Sequence, residues 1–428
     1  MMKNMTVRFA EMPRAELEEK LASLRAIYED YKAQGLKLDM SRGKPGAEQL
    51  DLSMAMLACV DDYDAANGFD TRNYGIVDGL PEAKALFADI LGVGVENVIV
   101  GGNSSLNMMF DYLAQAYSTG LCGCAPWSAQ DEIKFLCPVP GYDRHFAVTQ
   151  HFGIKLIPVT INADGPDMDA VEELIKDPAV KGMWCIPKYS NPTGITYSDE
   201  TVRRIAAMKP AAKDFRVMWD NAYCLHHFEE QGDKLLPLYP ELVKNGNEDL
   251  AVMFTSTSKI TFPGAGVAAM AASPANVADV KRRMAVQTIG CDKMNMLRHV
   301  TYFKNIDGVK EHMKRHAAIM RPKFAVVTEA LERHLGGTDV ASWHNPKGGY
   351  FVSVNLMEGC AKRTIALLSE AGVNMTPAGA TYPYGNDPKD SNLRIAPSYP
   401  SVEELKVAIE LFCICAQIAC VEKCLASK

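Results

Sequence analysis

The sequence predicts an α/β protein in which helices cover both faces of a mostly parallel sheet, joined to a smaller α+β domain. Three observations support this prediction. Short apolar runs alternate with amphipathic helical segments from about residue 80 to 259, as in parallel sheets with helical crossovers. After about residue 310 a long helical stretch leads into separated strands. The length of 428 residues suits two or three domains.

The composition is that of a globular enzyme, with 48% hydrophobic and 23% charged residues. A net charge of −7 without a basic stripe disfavours a nucleic-acid partner. The amino terminus lacks the apolar core of a signal peptide, and the run LFCICAQIACV is too short to span a bilayer. The 12 cysteines are scattered without CxxC pairs, so we expect reduced thiols and no metal. We therefore expect a cytoplasmic protein with no membrane partner.

The predicted elements follow in chain order. Residues 14–35 form a helix that ends near a glycine, and glycine and proline then break the pattern. Strands are predicted at ENVIVGG, IKFLCPV, IKLIPV, GMWCIP, FRVMWDN and LAVMFTSTSK, with helical segments between most of them. Beyond residue 310 come a long helix, strands in GGYFVSVNL and NLRIAPS, and a final helix. We predict a large domain of residues 46–310 and a small domain of residues 1–45 plus 311–428, since chain ends often lie together.

Polar residues follow several predicted strands, and ligands of open α/β sheets bind beyond the carboxyl ends of the strands. After the strand at 98–100 come Gly102, Asn103, Ser104 and Ser105, which open a helix. Backbone amides and hydroxyls at a helix amino terminus form a phosphate cradle. An ordinary glycine turn with a serine cap explains the same residues equally well.

Two more strands end in candidate ligand-binding residues. Tyr142 and His145 follow the strand at 133–139, where an aromatic ring could stack on a planar ligand or pack in the loop. Asn191 follows the strand at 182–186 in an Asn-Pro-Thr-Gly sequence that turn formation alone explains.

The next two strands end in ionisable residues. The strand-like stretch FRVMWDNAY ends with Asp220 and Tyr223, where an isolated acid is more often a helix cap. Lys259 ends the strand-like stretch LAVMFTSTSK. A lysine there is a solvated loop residue, a member of an ion pair or an amine that does covalent chemistry, because a buried ammonium is otherwise disfavoured.

As a set, these residues supply what pyridoxal phosphate requires on a single sheet edge: a phosphate cradle, a stacking aromatic, an amide, a carboxylate and a lysine. The lysine forms a Schiff base with the cofactor aldehyde. A carboxylate within about 4–6 Å of the pyridine nitrogen favours its protonated form by about 1–3 pKa units. The ring thereby becomes an electron sink.

The ordered motifs SRGKPG, RNYG, GGNSSL, PGYDRH, NPTG, DNAY, STSK and NLRIAPS cover the chain from about residue 20 to 425. In these motifs the chain resembles the fold-type-I pyridoxal-phosphate aminotransferases, and most closely the divergent bacterial aspartate aminotransferase subgroup. The resemblance implies a PLP-dependent transferase fold with a mostly parallel seven-stranded sheet and a homodimer with shared active sites.

The resemblance also implies residue roles. Lys259 would be the Schiff-base lysine that moves a proton from Cα to C4′. Asp220 would pair with the pyridinium nitrogen, with His145 behind it, and Tyr142 would stack on the ring. The remaining cofactor ligands would be Asn191 and Tyr223 at the phenolic oxygen, and Gly102, Asn103, Ser104, Ser105, Ser256, Ser258 and the neighbouring subunit's Tyr74 around the phosphate.

The phosphate site departs from the family pattern. Many relatives follow the lysine with a glycine-aromatic-arginine-glycine sequence whose arginine binds the phosphate. Here the stretch is PGAGV, with Gly266 near the arginine position. Either Lys44 or Arg298 replaces that cation, or serines and backbone amides suffice.

The implied reaction is transamination between L-aspartate and 2-oxoglutarate. Arg394 would bind the substrate α-carboxylate in bidentate fashion, aided by Asn191 and the backbone of Gly43. The distal carboxylate needs another cation, for which Arg42 is the first candidate, followed by Arg144 and Arg298. Alternatives are an alanine, aromatic or 2-aminoadipate aminotransferase, a β-lyase, a transcription regulator built on this fold, or an inactive homologue.

Overall fold

The computed structural model describes residues 8–428, so the first seven residues of the predicted small domain lie outside the described part. The strands are β1 (Leu38–Asp39), β2 (Val98–Val100), β3 (Lys134–Val139), β4 (Lys155–Asn162), β5 (Gly165–Pro166), β6 (Val180–Cys185), β7 (Arg216–Asp220), β8 (Ala251–Ser256), β9 (Ala268–Ala272), β10 (Ala341–Trp343), β11 (Val352–Leu356), β12 (Val373–Asn374) and β13 (Asn392–Ile395). The α-helices are α1 (Arg14–Ala33), α2 (Ala47–Asp51), α3 (Pro81–Leu91), α4 (Ser105–Thr119), α5 (Asp143–His151), α6 (Met168–Leu174), α7 (Asp199–Ala207), α8 (Leu238–Lys244), α9 (Pro274–Gln287), α10 (Lys293–Phe303), α11 (Ile306–Leu335), α12 (Ala361–Glu370) and α13 (Val402–Ala426).

The central sheet has eight strands in the order β2-β9-β8-β7-β6-β3-β4-β5. Strands β8, β7, β6, β3 and β4 pair in parallel, whereas β9 is antiparallel to both of its neighbours. The two-residue strand β5 adds an antiparallel edge to the seven strands that the family resemblance implies. The α/β class and the mostly parallel sheet are therefore confirmed.

Helices cover both faces of this sheet. Residues of α3, α6, α7, α8 and α10 share one apolar cluster with alternate strand residues such as Val98 and Val100. Residues of α4, α5 and α9 share the other cluster with the intervening residue, Ile99. This alternation follows from the two-residue period of a strand. The arrangement leaves the carboxyl edge of the parallel strands open for a binding site.

A third apolar cluster organises most of the remaining elements. It joins α1, α12, α13 and the second half of α11 to the antiparallel sheet β10-β11-β13. Helix α13 carries buried, reduced thiols at Cys413, Cys415, Cys420 and Cys424. The predicted domain boundary near residue 310 falls inside α11, whose first turns pack on Ile260 and Phe303, and the boundary itself stays a prediction. None of the helices within residues 8–428 is both long and apolar enough to cross a membrane.

Candidate active site

A cavity of about 340 Å³ opens at the carboxyl edge of strands β3, β6, β7 and β8. It also reaches the amino terminus of α4, Phe351 just before β11, and Arg394 in β13. Its polar lining consists of Arg42, Lys44, Ser104, Ser105, Tyr142, Asp143, Arg144, Asn191, Asp220, Tyr223, Ser256, Ser258, Lys259 and Arg394. Its other lining residues are Gly43, Leu106, Met109, Ile186, Ala222 and Phe351. The strand-end residues predicted from the sequence are thus brought to one place.

Lys259 enters the cavity from the loop that follows β8. Its Nζ lies 5.2 Å from the ring centroid of Tyr223 and 5.8 Å from that of Tyr350. Burial lowers the pKa of the Lys259 amine, against the opposing effect of the Asp220 carboxylate, and Arg394 lowers it further. A lower pKa increases the fraction of neutral amine, which is the nucleophilic form. Of the three sequence alternatives, the solvated loop lysine does not fit this setting.

Asp220 is the last residue of β7 and is 3% exposed. Its Oδ2 lies 3.0 Å from Nε2 of His145, whose ring stacks on Trp184 at a centroid distance of 4.1 Å. Its Oδ1 is buried and has no hydrogen-bond partner within residues 8–428. Such an oxygen carries a desolvation penalty, so the site is built to receive a donor at this position.

Hydroxyl groups gather where β2 and β8 approach the start of α4. Ser104 is the N-cap of α4, and Ser105 is its first residue. Ser256 Oγ donates to Ser258 Oγ at 3.0 Å, and Ser258 Oγ donates to the Asn103 carbonyl at 3.2 Å. Together with the free amides of the helix terminus, these serines form an anion cradle. Gly102 and Asn103 lie next to this cradle but do not line the cavity.

Gly266 lies directly beside the same cradle. A Cβ at this position would come within 3.3 Å of both the Asn103 carbonyl oxygen and the Ser258 amide nitrogen. The crowding explains why a side chain is absent here. Of the two cations considered for the phosphate, Lys44 lines the cavity, whereas Arg298 lies outside its lining and bonds to Asn295.

Arg394 reaches the cavity from β13 and is 7% exposed. Its Nη1 lies 3.0 Å from Asp143 Oδ1 and 3.2 Å from Asn191 Oδ1, and its Nη2 lies 3.2 Å from Thr376 Oγ1. Its Nε is buried without a partner among the described residues. The guanidinium is thereby held in place with bonding capacity left over, as a carboxylate receptor requires.

Three further predicted residues lie around the cavity. Tyr223 is 3% exposed, and burial raises the pKa of its hydroxyl well above the ordinary value. Burial likewise raises the pKa of Tyr142 to about 12. Both phenols are therefore protonated donors at neutral pH. Asn191 holds its amide oxygen against Arg394, so its amide nitrogen remains available to a ligand.

The segment that carries Arg42 and Gly43 forms one wall of the cavity. A Cβ on Gly43 would lie 2.4 Å from Cζ of Phe351, so only glycine allows this approach. Arg144 lines the cavity, unlike Arg298. Tyr74 is 78% exposed and does not contribute to the cavity of its own chain.

Some residues of the site were missed in the sequence. Phe351 lies under the Arg394 guanidinium at 4.8 Å, and Tyr350 faces Lys259. Thr376 and Asp143 hold Arg394. The paired glycines of GGYF, which allow close approach to Tyr189, could have pointed to Tyr350 and Phe351 in the sequence. No local sequence pattern marks Thr376 or Asp143 as site residues.

The residues present fit pyridoxal phosphate. The anion cradle suits a phosphate, the open Asp220 Oδ1 suits a protonated ring nitrogen, and a lysine of lowered pKa suits an aldehyde. All three features lie on one cavity. The enclosed volume and the aromatic ring of Tyr142 suit a flat ring between them.

Comparisons with known proteins identify the family of this chain. Residues 12–428 match the family described as aspartate amino-transferase. The chain is 45% identical over 398 residues to an aspartate aminotransferase of Corynebacterium glutamicum, covering 92% of each chain. A crystal structure of an aspartate transaminase from that species superimposes with a TM-score of 0.96 at 43% identity, covering 98% of this chain and 100% of the other.

A more distant structure shares the fold. The α-aminoadipate aminotransferase LysN of Thermus thermophilus, complexed with N-(5'-phosphopyridoxyl)-L-leucine, superimposes with a TM-score of 0.71 at 21% identity, covering 94% of this chain and 96% of the other. Fold, cavity and relatives thus agree, and the chain belongs to the aspartate aminotransferase family of fold-type-I enzymes. It is a pyridoxal-phosphate-dependent aminotransferase.

Proposed function

We propose that the enzyme transfers the amino group of L-aspartate to 2-oxoglutarate, giving oxaloacetate and L-glutamate. The observation that carries the proposal is the surplus of cations in the cavity: Arg42, Lys44 and Arg144 line it in addition to Arg394. Both substrates have two carboxylates, and each carboxylate needs a cationic partner. The 45% identity to an aspartate aminotransferase supports the same choice.

In this proposal the cofactor is held by the predicted residues. Lys259 would bind its aldehyde carbon covalently, and Tyr142 would cover the ring. Asn191 and Tyr223 would donate to the phenolic oxygen, and the serines at the start of α4 and after β8 would bind the phosphate. When bound, the cofactor withdraws electrons from the bonds at the substrate Cα.

We assign proton binding at the ring nitrogen to Asp220 and proton transfer at the substrate Cα to Lys259. Asp220 would hold a protonated ring nitrogen with its free Oδ1, while its Oδ2 is held by His145. The Lys259 amine would be the base that takes the proton from the substrate Cα and the acid that returns it during transfer. Its lowered pKa suits a base that works near neutral pH.

Arg394 binds the α-carboxylate that all the amino donors share. We expect Arg394→Lys to lower kcat/KM for every donor, because lysine cannot form the bidentate pair and leaves Asp143 and Asn191 without a partner. A loss of about 2–5 kcal/mol is expected for a buried charge pair. Steady-state kinetics measure it.

A matched control is Arg363→Lys, which removes a bidentate arginine pair with Glu422 in the small domain. This variant should keep the kcat/KM of the unmodified enzyme. A loss of kcat/KM that is restricted to one amino donor in the Arg394 variant would contradict a role of Arg394 at the α-carboxylate that all amino donors share.

The substrate pair is tested by steady-state kinetics with aspartate, glutamate, alanine, phenylalanine and aminoadipate against 2-oxoglutarate. We expect the highest kcat/KM with aspartate. Arg42→Met and Arg144→Met should raise KM for aspartate more than for alanine if either cation meets the distal carboxylate. A preference for alanine, phenylalanine or aminoadipate would replace the proposed donor.

We also propose a homodimer in which Tyr74 completes the phosphate site of the partner subunit. Its 78% exposure leaves the ring free to enter another chain. The adjacent Gly75 carbonyl lies close to Gly290, beside the exposed apolar residues Val286 and Ile289. Exposed apolar residues clustered in this way mark protein interfaces. Light scattering of the purified enzyme measures the mass, and a monomer would contradict this assignment.

A further inference from the structure

Four of the nine histidines in the chain surround the loop that carries Lys259. His226, His299, His312 and His316 are 4%, 1%, 1% and 2% exposed. None of them lines the active-site cavity. They come from three different parts of the chain, yet their rings converge on residues 257–261, here called the lysine loop.

The strongest contacts meet at the carbonyl of Ile260, the residue after Lys259. Nε2 of His312 lies 2.8 Å from this oxygen, and Nε2 of His316 lies 2.9 Å from it. On the far side of each ring, Nδ1 faces a group that can only donate: Arg315 Nη2 at 2.7 Å from His312, and Gln49 Nε2 at 3.2 Å from His316.

These partners determine the tautomers. Because Nδ1 accepts in both rings, Nε2 carries the hydrogen in both, and both N–H groups donate to the Ile260 oxygen, with the two Nε2 atoms 3.1 Å apart. Burial lowers the pKa of His312 to about 4 and that of His316 to about 3, in agreement with two neutral rings. Besides Arg315, Tyr302 and Tyr350 are the titratable side chains joined to this network, through His312 and Gln49.

The other two histidines hold the remainder of the loop. His226 Nε2 lies 3.2 Å from the Lys259 carbonyl oxygen. His299 Nδ1 donates to the Asn295 carbonyl at 2.8 Å, so its Nε2 accepts from the hydroxyls of Thr257 and Thr261 at 3.0 and 2.9 Å. Imidazoles therefore contact the backbone carbonyls of Lys259 and Ile260 and the side-chain hydroxyls of Thr257 and Thr261.

We propose that His312 and His316 are positioning residues for catalysis: by sharing the Ile260 carbonyl they fix the lysine loop and hold Lys259 Nζ at the end of the cavity. This inference rests on the covalent role proposed for Lys259. The amine must meet an aldehyde carbon and later move a proton between two atoms, and such steps are sensitive to displacements of about 1 Å. Two donors from neighbouring turns of α11 attach the loop more firmly than one donor does, because the carbonyl keeps one partner when the other hydrogen bond opens.

The test compares His316→Leu with His316→Gln. Glutamine places an amide N–H near the position of Nε2, whereas leucine keeps the bulk and removes the donor. We measure the rate at which cofactor-free protein captures pyridoxal phosphate, the pH midpoint of the bound cofactor's absorbance change, kcat and KM. His334→Leu, a half-buried histidine near the end of the same helix, is the matched control.

We expect His316→Leu to lower the capture rate and kcat about tenfold, the effect of one lost buried hydrogen bond, with KM unchanged and the pH midpoint shifted. His316→Gln should recover most of the loss, and His334→Leu should match the unmodified enzyme. Equal values for His316→Leu and the unmodified enzyme, or no recovery with glutamine, would overturn the proposal.

A second variant decides the question if His316→Leu fails to fold. Arg315 is exposed, so Arg315→Met removes the donor to His312 Nδ1 with little effect on packing, and it should lower the capture rate in the same direction. An unchanged capture rate in this variant overturns the proposal. Borohydride labelling of the unmodified enzyme tests the covalent role of Lys259 separately from the positioning role of His312 and His316. Absence of a label at Lys259 would contradict the proposed function itself.

Discussion

Replacing Lys259 with alanine is expected to abolish transamination. Under the roles proposed for Lys259, the variant loses both the amine that binds the cofactor covalently and the base that moves the proton at Cα. Loss of the base alone lowers turnover by about 10²–10⁴-fold. Single-turnover absorbance with aspartate measures the remaining rate. Full turnover by the alanine variant would overturn the assignment of the site.

Lys259→Arg is the matched control for charge and size. Arginine keeps the cation in the cavity but stays protonated at neutral pH, so it cannot act as a nucleophile or a base. We expect it to be as inactive as the alanine variant. Borohydride reduction should attach a phosphopyridoxyl group to Lys259 of the unmodified enzyme and to position 259 of neither variant. Peptide mass spectrometry detects the label.

Replacing Asp220 with alanine or asparagine is expected to lower kcat by orders of magnitude. Without the carboxylate, the ring nitrogen loses a stabilisation of about 1–3 pKa units, which corresponds to a tenfold to thousandfold loss of the protonated form. Asparagine is the sharper test, because its amide oxygen can keep the contact with His145. Steady-state kinetics at saturating cofactor measure the effect, and unchanged kcat would show that another group protonates the ring.

Thermal stability distinguishes the proposed catalytic role of Asp220 from a purely structural role. Asp220 leaves Oδ1 without a partner within the described chain, so the asparagine variant should melt at or above the temperature of the unmodified cofactor-free protein. Asp214→Asn is the control, because this equally buried acid pairs with Lys181 at 2.8 Å and Trp127 at 2.9 Å. Asp214→Asn should lose about 3–5 kcal/mol of stability and keep its kcat.

The strand-end residues could be predicted because their placement follows from local patterns. The six strands predicted in the central sheet were found, and five of them, β2, β3, β6, β7 and β8, deliver their following residues to the same cavity. The strand β9 was missed, since AAMAA is poor in the β-branched and aromatic residues that mark strands. It forms because it is buried between β2 and β8, which is a property of the tertiary structure.

The sequence by itself determined the fold class and the set of cavity residues on the large sheet, because strand periodicity and the carboxyl-edge rule act over short stretches of chain. Only the tertiary structure decided which cations line the cavity and what contacts the loop of Lys259. Arg394 reaches Asp143 and Asn191 from β13, and His312 and His316 reach the Ile260 carbonyl from α11, 52 and 56 residues away in sequence. Contacts between such distant segments depend on how the whole chain packs, and no local pattern encodes them.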